Sequence, residues 1–343
     1  MSLYLSKPIY RCDPIRSVPA LARALRLDVD ALFSAANTAN KNYRIVPLKP
    51  GSTRQTFDAK GHLKEIHRRM KATLFRSVDF PDYLHGSLRG CDYVTNASLH
   101  TNKQLLICED VKKFFPSISA EQVQDVWCGF FGFAPDVAEL LTRLTTRDGT
   151  LPQGAIPSSY LANLVMWRYE PLLQAKLAKR GITYSRYVDD MAMSSVKHVT
   201  KETQTLIIAQ VYGMLRQVGL KAGRNKHEIF SATKPMIATK LIVNRKPSLS
   251  QKKRSQVRAQ VRQVEMAQAA GADPEIVREL ANSAARRVGQ IGRFHKTQAN
   301  HLKERVMVVR AALPKQSHSA MTLPMPSFLF PLASSTDDLL PWE

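Results

Sequence analysis

The chain has 343 residues, with 50 Lys and Arg against 28 Asp and Glu, and a formal net charge of +22. At roughly 100 to 200 residues per domain this length allows two or three domains, and 44% apolar residues is enough to build real cores, which excludes a disordered bulk. Charge of this size and sign speaks of partners, and the abundant polyanion is nucleic acid, ahead of an anionic membrane surface.

Residues 1–40 are predicted helical, because Leu21, Leu25, Val29, Leu32 and Phe33 recur near the helical period. Tyr43 to Leu48 alternates briefly like a strand, and Lys49, Pro50 and Gly51 make a turn. Leu63 to Leu74 is an amphipathic helix with Ile66 and Met70 inward and Lys64, His67, Arg68, Arg69 and Lys71 outward. Gln104 to Cys108 is a short apolar run closed by Glu109 and Asp110, a buried strand delivering an acid at its end. Ser119 with Gln122, and Asp136 with Glu139, have the spacing of helix-opening boxes.

A long helix is predicted from Ser158 toward Leu177, stopped by Gly181. Ile182 to Val188 and Met191 to Ser195 read as a hairpin whose tip carries Asp189 and Asp190. A helix from about Thr200 to Val218 ends at Gly219, where a left-handed residue is wanted. Residues 241–310 differ in character: 15 Lys or Arg face 5 Asp or Glu, Val257, Val261 and Val264 share a helical face, and Asp273 with Pro274 opens another helix. This is a separate basic helical segment. The Pro- and Ser-rich tail from residue 314 has no period and is expected to be extended or partly disordered.

No stretch approaches the roughly 18 apolar residues of a membrane span, and Lys7, Arg11 and Arg16 precede no apolar signal region. A cytoplasmic protein without a membrane partner is expected. Cys12, Cys91, Cys108 and Cys128 are too far apart to suggest a zinc site and read as reduced, mostly buried thiols.

Three carboxylates carry the chemical signal: Asp110 at one strand end, and Asp189 with Asp190 in the hairpin. Acids on adjacent strand ends of one sheet converge and repel unless cations neutralise them. Two Mg²⁺ ions about 3.5 to 4 Å apart can activate an attacking hydroxyl and stabilise the leaving oxygen of a phosphoryl displacement, which points to nucleotidyl transfer. An Asp-Asp pair by itself is as readily a solvated turn.

The surrounding order of motifs adds weight. Tyr43 to Lys49 is followed by Arg54; Asp110 by Phe114, Phe115 and Pro116; then come Leu151, Pro152, Gln153 and Gly154; Tyr187 to Asp190; and Gly219, Leu220, Lys221 and Lys226. Over roughly residues 40–310 this succession resembles the reverse transcriptases. Asn96, Ala97, Ser98, Leu99 and His100 match the NAxxH element of the bacterial retron group. Where that group shows Val-Thr-Gly this chain has Ala238, Thr239 and Lys240, and Val188 stands where Ala is usual.

The resemblance implies an α+β right-hand polymerase with fingers, a palm of antiparallel sheet plus helices, and a helical thumb. The corresponding boundaries are an N-terminal helical segment at 1–40, fingers at 41–103 joined by part of 142–165, palm at 104–240, thumb at 241–313 and tail at 314–343. It implies that Asp110, Asp189 and Asp190 are catalytic and hold two Mg²⁺ ions, that Arg54 and Lys226 contact the triphosphate, and that the Phe115 ring excludes a ribose 2′-hydroxyl. Gln153 and Gly154 would touch nucleotide and template, Tyr187 the primer end, and Asn96 and His100 the RNA. Lys252, Lys253, Arg254 and Arg258 would lie on an RNA/DNA hybrid.

It further implies deoxynucleoside triphosphates as substrates and a cognate structured non-coding RNA as both template and primer, with synthesis begun from a guanosine 2′-hydroxyl. An RNA-linked single-stranded DNA and a separate effector protein in anti-phage defence follow from the same likeness. No acid-rich RNase H segment and no Cys/His endonuclease cluster is expected, so another enzyme would remove template RNA. A group II intron-like or template-independent defence polymerase, and an RNA-binding scaffold with a vestigial site, stay open as alternatives.

Overall fold

Ser17 caps the first helix, α1 (Val18–Leu25), by accepting a hydrogen bond from the Ala20 amide. The computed structural model describes residues 6–47 and 54–314. The turn expected at Lys49 to Gly51 and the tail beyond residue 314 lie outside the described residues. A two-residue strand, β1 (Ile9–Tyr10), precedes α1, and α2 (Val29–Asn37) follows it. The single N-terminal helical segment is therefore broken, because Arg26 takes a left-handed conformation at φ 54° and ends α1.

β2 (Tyr43–Val46) pairs antiparallel with β3 (Thr56–Ala59). α3 (Gly61–Thr73) buries Leu63, Ile66 and Met70 as its spacing predicts. His67, expected outward, is instead fully buried, with Nε2 2.8 Å from the Leu144 carbonyl. β4 (Val78–Asp79) pairs with β1, and α4 (Tyr93–Ser98) opens on a capping box of Asp92 with Thr95.

The centre of the first unit is a four-stranded antiparallel sheet of order β6-β7-β5-β8, formed by β5 (Leu105–Asp110), β6 (Ile182–Tyr187), β7 (Asp190–Ser195) and β8 (Glu228–Ser231). Helices between these strands cover it: α5 (Phe114–Ser117), α6 (Ala120–Asp125), α7 (Pro135–Thr145), α8 (Ser158–Leu164), α9 (Glu170–Ala178) and α10 (Lys201–Val218). Ser119 and Gln122 make the predicted box at α6, and Gly219, at φ 80°, ends α10.

Two helix boundaries differ from expectation. α7 begins at Pro135, so Asp136 sits inside the first turn and complements the helix dipole there. The long helix from Ser158 is two helices, since Pro171 at the start of α9 lacks an amide and its ring opposes the preceding turn. Trp127, Phe131, Phe75 and Phe133 pack around these helices in the core. All four cysteines are free thiols; Cys91, Cys108 and Cys128 are partly buried, while Cys12 is exposed and departs from the mostly buried setting expected.

Among the described residues, those up to Thr239 form one compact unit and those from Lys240 a second. In the second, α11 (Gln251–Ala269), α12 (Pro274–Gly292) and α13 (Lys296–Ala312) form a three-helix bundle. Val257, Val261 and Val264 of α11 are buried in it, and Arg305 clasps Glu265 with two hydrogen bonds of 2.7 Å. Asp273 caps α12 ahead of Pro274, which loses nothing by lacking an amide at that position. No helix among the described residues is long and apolar enough to cross a membrane.

Candidate active site

Strand register brings the acids together. Asp110, the last residue of β5, lies opposite Asp190, the first of β7. Tyr187 pairs with Asp190 across the hairpin, leaving Val188 and Asp189 as a two-residue turn. The Asp189 carbonyl accepts the Val111 amide at 3.1 Å, which ties the turn to the end of β5. Adjacent strands are about 4.8 Å apart, so all three carboxylates arise at one end of the sheet.

Their charges are felt mutually. Loss of hydration, then the charge of Asp110, pushes the Asp189 carboxyl upward. Asp190 keeps an exposed side chain, yet protein packed around it withdraws water, and this effect, followed by the charges of Asp189 and Asp110, pushes it up to about 7. Arg54 and Lys226 oppose both shifts, so these two cations face the same sheet end.

Lys226 does more, donating from Nζ to Asp110 Oδ1 at 2.8 Å. Three acids with two cations on them leave negative charge to neutralise, and an all-oxygen donor set suits a hard divalent ion. The residues therefore fit the metal chemistry expected of them. Among the described residues, no three acidic, His or Cys side chains are already gathered closely enough to surround one ion, and Asp110 is engaged by Lys226.

The support of Asp110 has no counterpart in any motif. Gly223 donates its amide to the Asp110 carbonyl at 2.6 Å, and a Cβ on it would fall 2.7 Å from Asp110 Oδ2. A side chain there would force the Asp110 carboxylate or the loop to move. Glu109 points to the opposite face of β5, as strand alternation requires; it is buried, with His227 Nδ1 at 2.6 Å and the Tyr212 hydroxyl donating at 3.2 Å. Neighbouring residues Glu109 and Asp110 thus hold neighbouring residues His227 and Lys226. The Lys112 amide donates to the Lys221 carbonyl at 2.9 Å, and these two lysines line an open depression of about 360 Å³ with Lys113, Ser117 and Gly219.

The other candidates stand in settings of their own. The Gln153 carbonyl accepts the Phe57 amide of β3 at 2.7 Å. Gly154, at φ 106°, approaches so closely that a Cβ would meet the Phe57 carbonyl at 2.8 Å. Phe115 is partly buried against the core beside Phe114, and Tyr187 is half-buried with Asp92 nearby. Lys252, Lys253, Arg254 and Arg258 occupy the first two turns of α11 in the second unit, where Lys252 and Arg258 are exposed.

Two expectations are corrected. His100 is wholly buried, with Nδ1 2.7 Å from Ser194 Oγ and Nε2 2.7 Å from Ser185 Oγ. It bridges β6 and β7 from within and has no surface to offer RNA. Asn96 is likewise buried in α4. Thr239, at φ 45°, joins this region by donating its hydroxyl to the Tyr93 carbonyl at 2.8 Å.

Residues 40–265 match the family described as "Reverse transcriptase (RNA-dependent DNA polymerase)". The chain is 31% identical to the retron Se72 reverse transcriptase of Salmonella heidelberg, over 87% of this chain and 81% of that protein. It is 24% identical to the retron Ec48 reverse transcriptase of Escherichia coli over 87% of this chain and 77% of that one. With the retron Ec86 reverse transcriptase of Escherichia coli it shares 25% identity over 71% of this chain and 77% of the relative.

Proposed function

The chain belongs to the reverse transcriptases and, within them, to the retron group, and from that premise we propose that its sheet-end carboxylates build DNA on one dedicated, structured non-coding RNA. Its activity is RNA-directed DNA polymerisation in a retron. In this reading the first unit provides fingers and palm and the basic helical bundle is the thumb. Asp110, Asp189 and Asp190 would hold two Mg²⁺ ions, whose charge would favour ionisation of the attacking hydroxyl and stabilise the leaving phosphate oxygen.

The chain's own side chains bind and orient. Arg54 and Lys226 take the triphosphate, since a guanidinium matches phosphate oxygens two at a time and an ammonium serves as a point charge. The Phe115 ring closes the space a ribose 2′-hydroxyl would need. Gln153 and Gly154 border the templating base, and Tyr187 the primer end. Lys252, Lys253, Arg254 and Arg258 contact backbone phosphates of the RNA/DNA hybrid, giving affinity without sequence reading. The cognate RNA serves as template and primer, the product is RNA-linked single-stranded DNA, and a separate effector protein acts in anti-phage defence.

The observation that carries this reading is Asp110 facing Asp190 across β5 and β7, with Lys226 and Arg54 bearing on the same carboxylates. The test is Asp190→Ala in the protein co-expressed with its RNA. Incorporation of deoxynucleotides should be abolished while the co-purifying RNA, identified by sequencing, is retained. Surviving incorporation would remove the aspartates from the reaction.

A further inference from the structure

Beneath the Val188–Asp189 turn lies a charge that the reaction itself does not use. Arg186, three residues before Asp189, is fully buried, and its partner Glu170 at the start of α9 is 1% exposed. Nε donates to Glu170 Oε1 at 2.6 Å and Nη2 to Oε2 at 2.8 Å, a two-pronged pair. The remaining donors reach elsewhere: Nη2 to the Asn163 carbonyl at 3.1 Å, and Nη1 to Asn163 Oδ1 at 3.4 Å and to the Val188 carbonyl at 2.9 Å. A guanidinium has five N–H groups, and all five are engaged.

The partners hold the turn from several sides. Val188 stands at φ 58°, a left-handed conformation that a β-branched side chain resists, and its carbonyl is the one Arg186 grips. Asn163 Nδ2 donates to the Gly86 carbonyl at 2.7 Å. Gly86 in turn packs under Val188 so closely that a Cβ would fall 2.5 Å from both Val188 N and Val188 Cγ2. The segment carrying Gly86 is fastened to Arg186 by the backbone, with the Arg186 amide donating to the Tyr83 carbonyl at 2.8 Å and the His85 amide to the Arg186 carbonyl at 2.9 Å. The Tyr184 hydroxyl donates to Glu170 Oε1 at 2.7 Å and completes that carboxylate.

We propose that Arg186, oriented by Glu170 and Asn163, is a positioning residue that holds Val188 in its strained conformation and thereby fixes where Asp189 and Asp190 stand. A buried ion pair is weak evidence for stability, because desolvation offsets much of the Coulomb gain. Its value here is geometric: the planar fork serves Glu170, Asn163 and Val188 at once, which an ammonium with three donors cannot reproduce. Misplacing a reacting group by about 1 Å can cost about a hundredfold in rate.

The inference rests on Asp189 and Asp190 being the reacting carboxylates, and Asp190→Ala tests that separately. Two variants of the full chain, each co-expressed with its RNA, test the positioning role. Arg186→Lys keeps the charge but loses the fork. The double variant Arg186→Met with Glu170→Met replaces the pair by apolar side chains, a change that commonly preserves or raises stability. Measured are the melting temperature, the RNA retained, and kcat and KM for single-nucleotide addition, per molecule that retains RNA.

The expected result is a kcat lowered about 30- to 100-fold in both variants, with KM for the nucleotide changed less than about threefold and the double variant melting near wild type. Recovery of wild-type kcat in the double variant would overturn the proposal. So would a loss of rate that only tracks the loss of folded, RNA-bearing protein, including the case in which neither variant folds.

Discussion

Lys226 Nζ donates to Asp110 Oδ1 at 2.8 Å, from a side chain 53% exposed to one only 9% exposed. An ammonium in that place competes with any divalent ion for the same oxygen. Because the lysine is half in solvent, the attraction is worth no more than about 1 kcal/mol after screening. Lys226→Met should therefore bind Mn²⁺ roughly fivefold more tightly in the nucleotide-free protein, read by electron paramagnetic resonance titration, while nucleotide addition slows. Unchanged Mn²⁺ affinity would show that the two cations do not compete.

Gly223 offers a steric test of the same carboxylate. A methyl group there would sit 2.7 Å from Asp110 Oδ2, so Gly223→Ala must move either the carboxylate or the loop. The loop is anchored by the Gly223 amide on the Asp110 carbonyl and by His227 on Glu109, and the side chain of Asp110 is the softer element. We expect kcat to fall about a hundredfold, with a melting temperature lowered by only a few degrees. Full activity in Gly223→Ala would mean that Asp110 need not stand where it does.

The buried histidines set an acid limit on stability. Burial, then the charges of Lys103 and His85, pushes His100 down to about 3, and burial pushes His67 down to about 4. Both rings are neutral in the fold, whereas the unfolded chain binds protons near the ordinary value of about 6.5. Their contribution is thus complete above about pH 6.5 and is lost as pH falls toward 4 and then 3, at up to about 1.4 kcal/mol per pH unit for each ring. The urea midpoint should be clearly lower at pH 5 than at pH 7. His100→Gln should start less stable and show a shallower pH dependence, and it should keep its RNA wherever it is folded.

Salt dependence reports on the basic helix. Arg254 and Arg258 are one helical turn apart on α11. Replacing both by Ala should weaken RNA binding and flatten the plot of log affinity against log salt by about 0.9 for each duplex phosphate that is no longer neutralised. A slope equal to that of wild type would place these two side chains off the nucleic acid.

How far the residues can be read in advance depends on the range of the forces involved. Local signals are legible: Ser119 with Gln122 at α6, Gly219 after α10, and Asp273 with Pro274 at α12 are each decided within one turn of chain. The break before Pro171 is equally local, but the apolar spacing on either side suits one long helix and hides it. His100 misleads because polarity alone cannot separate a ring that meets RNA from one that meets Ser185 and Ser194; only the pairing of β6 with β7 brings those two hydroxyls around it. Arg186 carries one faint signal, a charge in register with Ile182 and Tyr184 on the inward face of a strand.

The amino-acid order alone settled the chemical types available: three carboxylates, the cations to meet them, and a basic helical segment, because composition and short-range spacing are properties of the chain before it folds. The folded protein decided which of them meet. Asp110 and Asp190 are 80 positions apart and become neighbours only through strand register, and Glu170, Asn163 and Gly86 reach Arg186 and its turn only once helices pack on the sheet. Contacts of that kind are fixed by long-range packing, where hydrophobic burial is non-directional and gives no local sign of which polar groups it will enclose together.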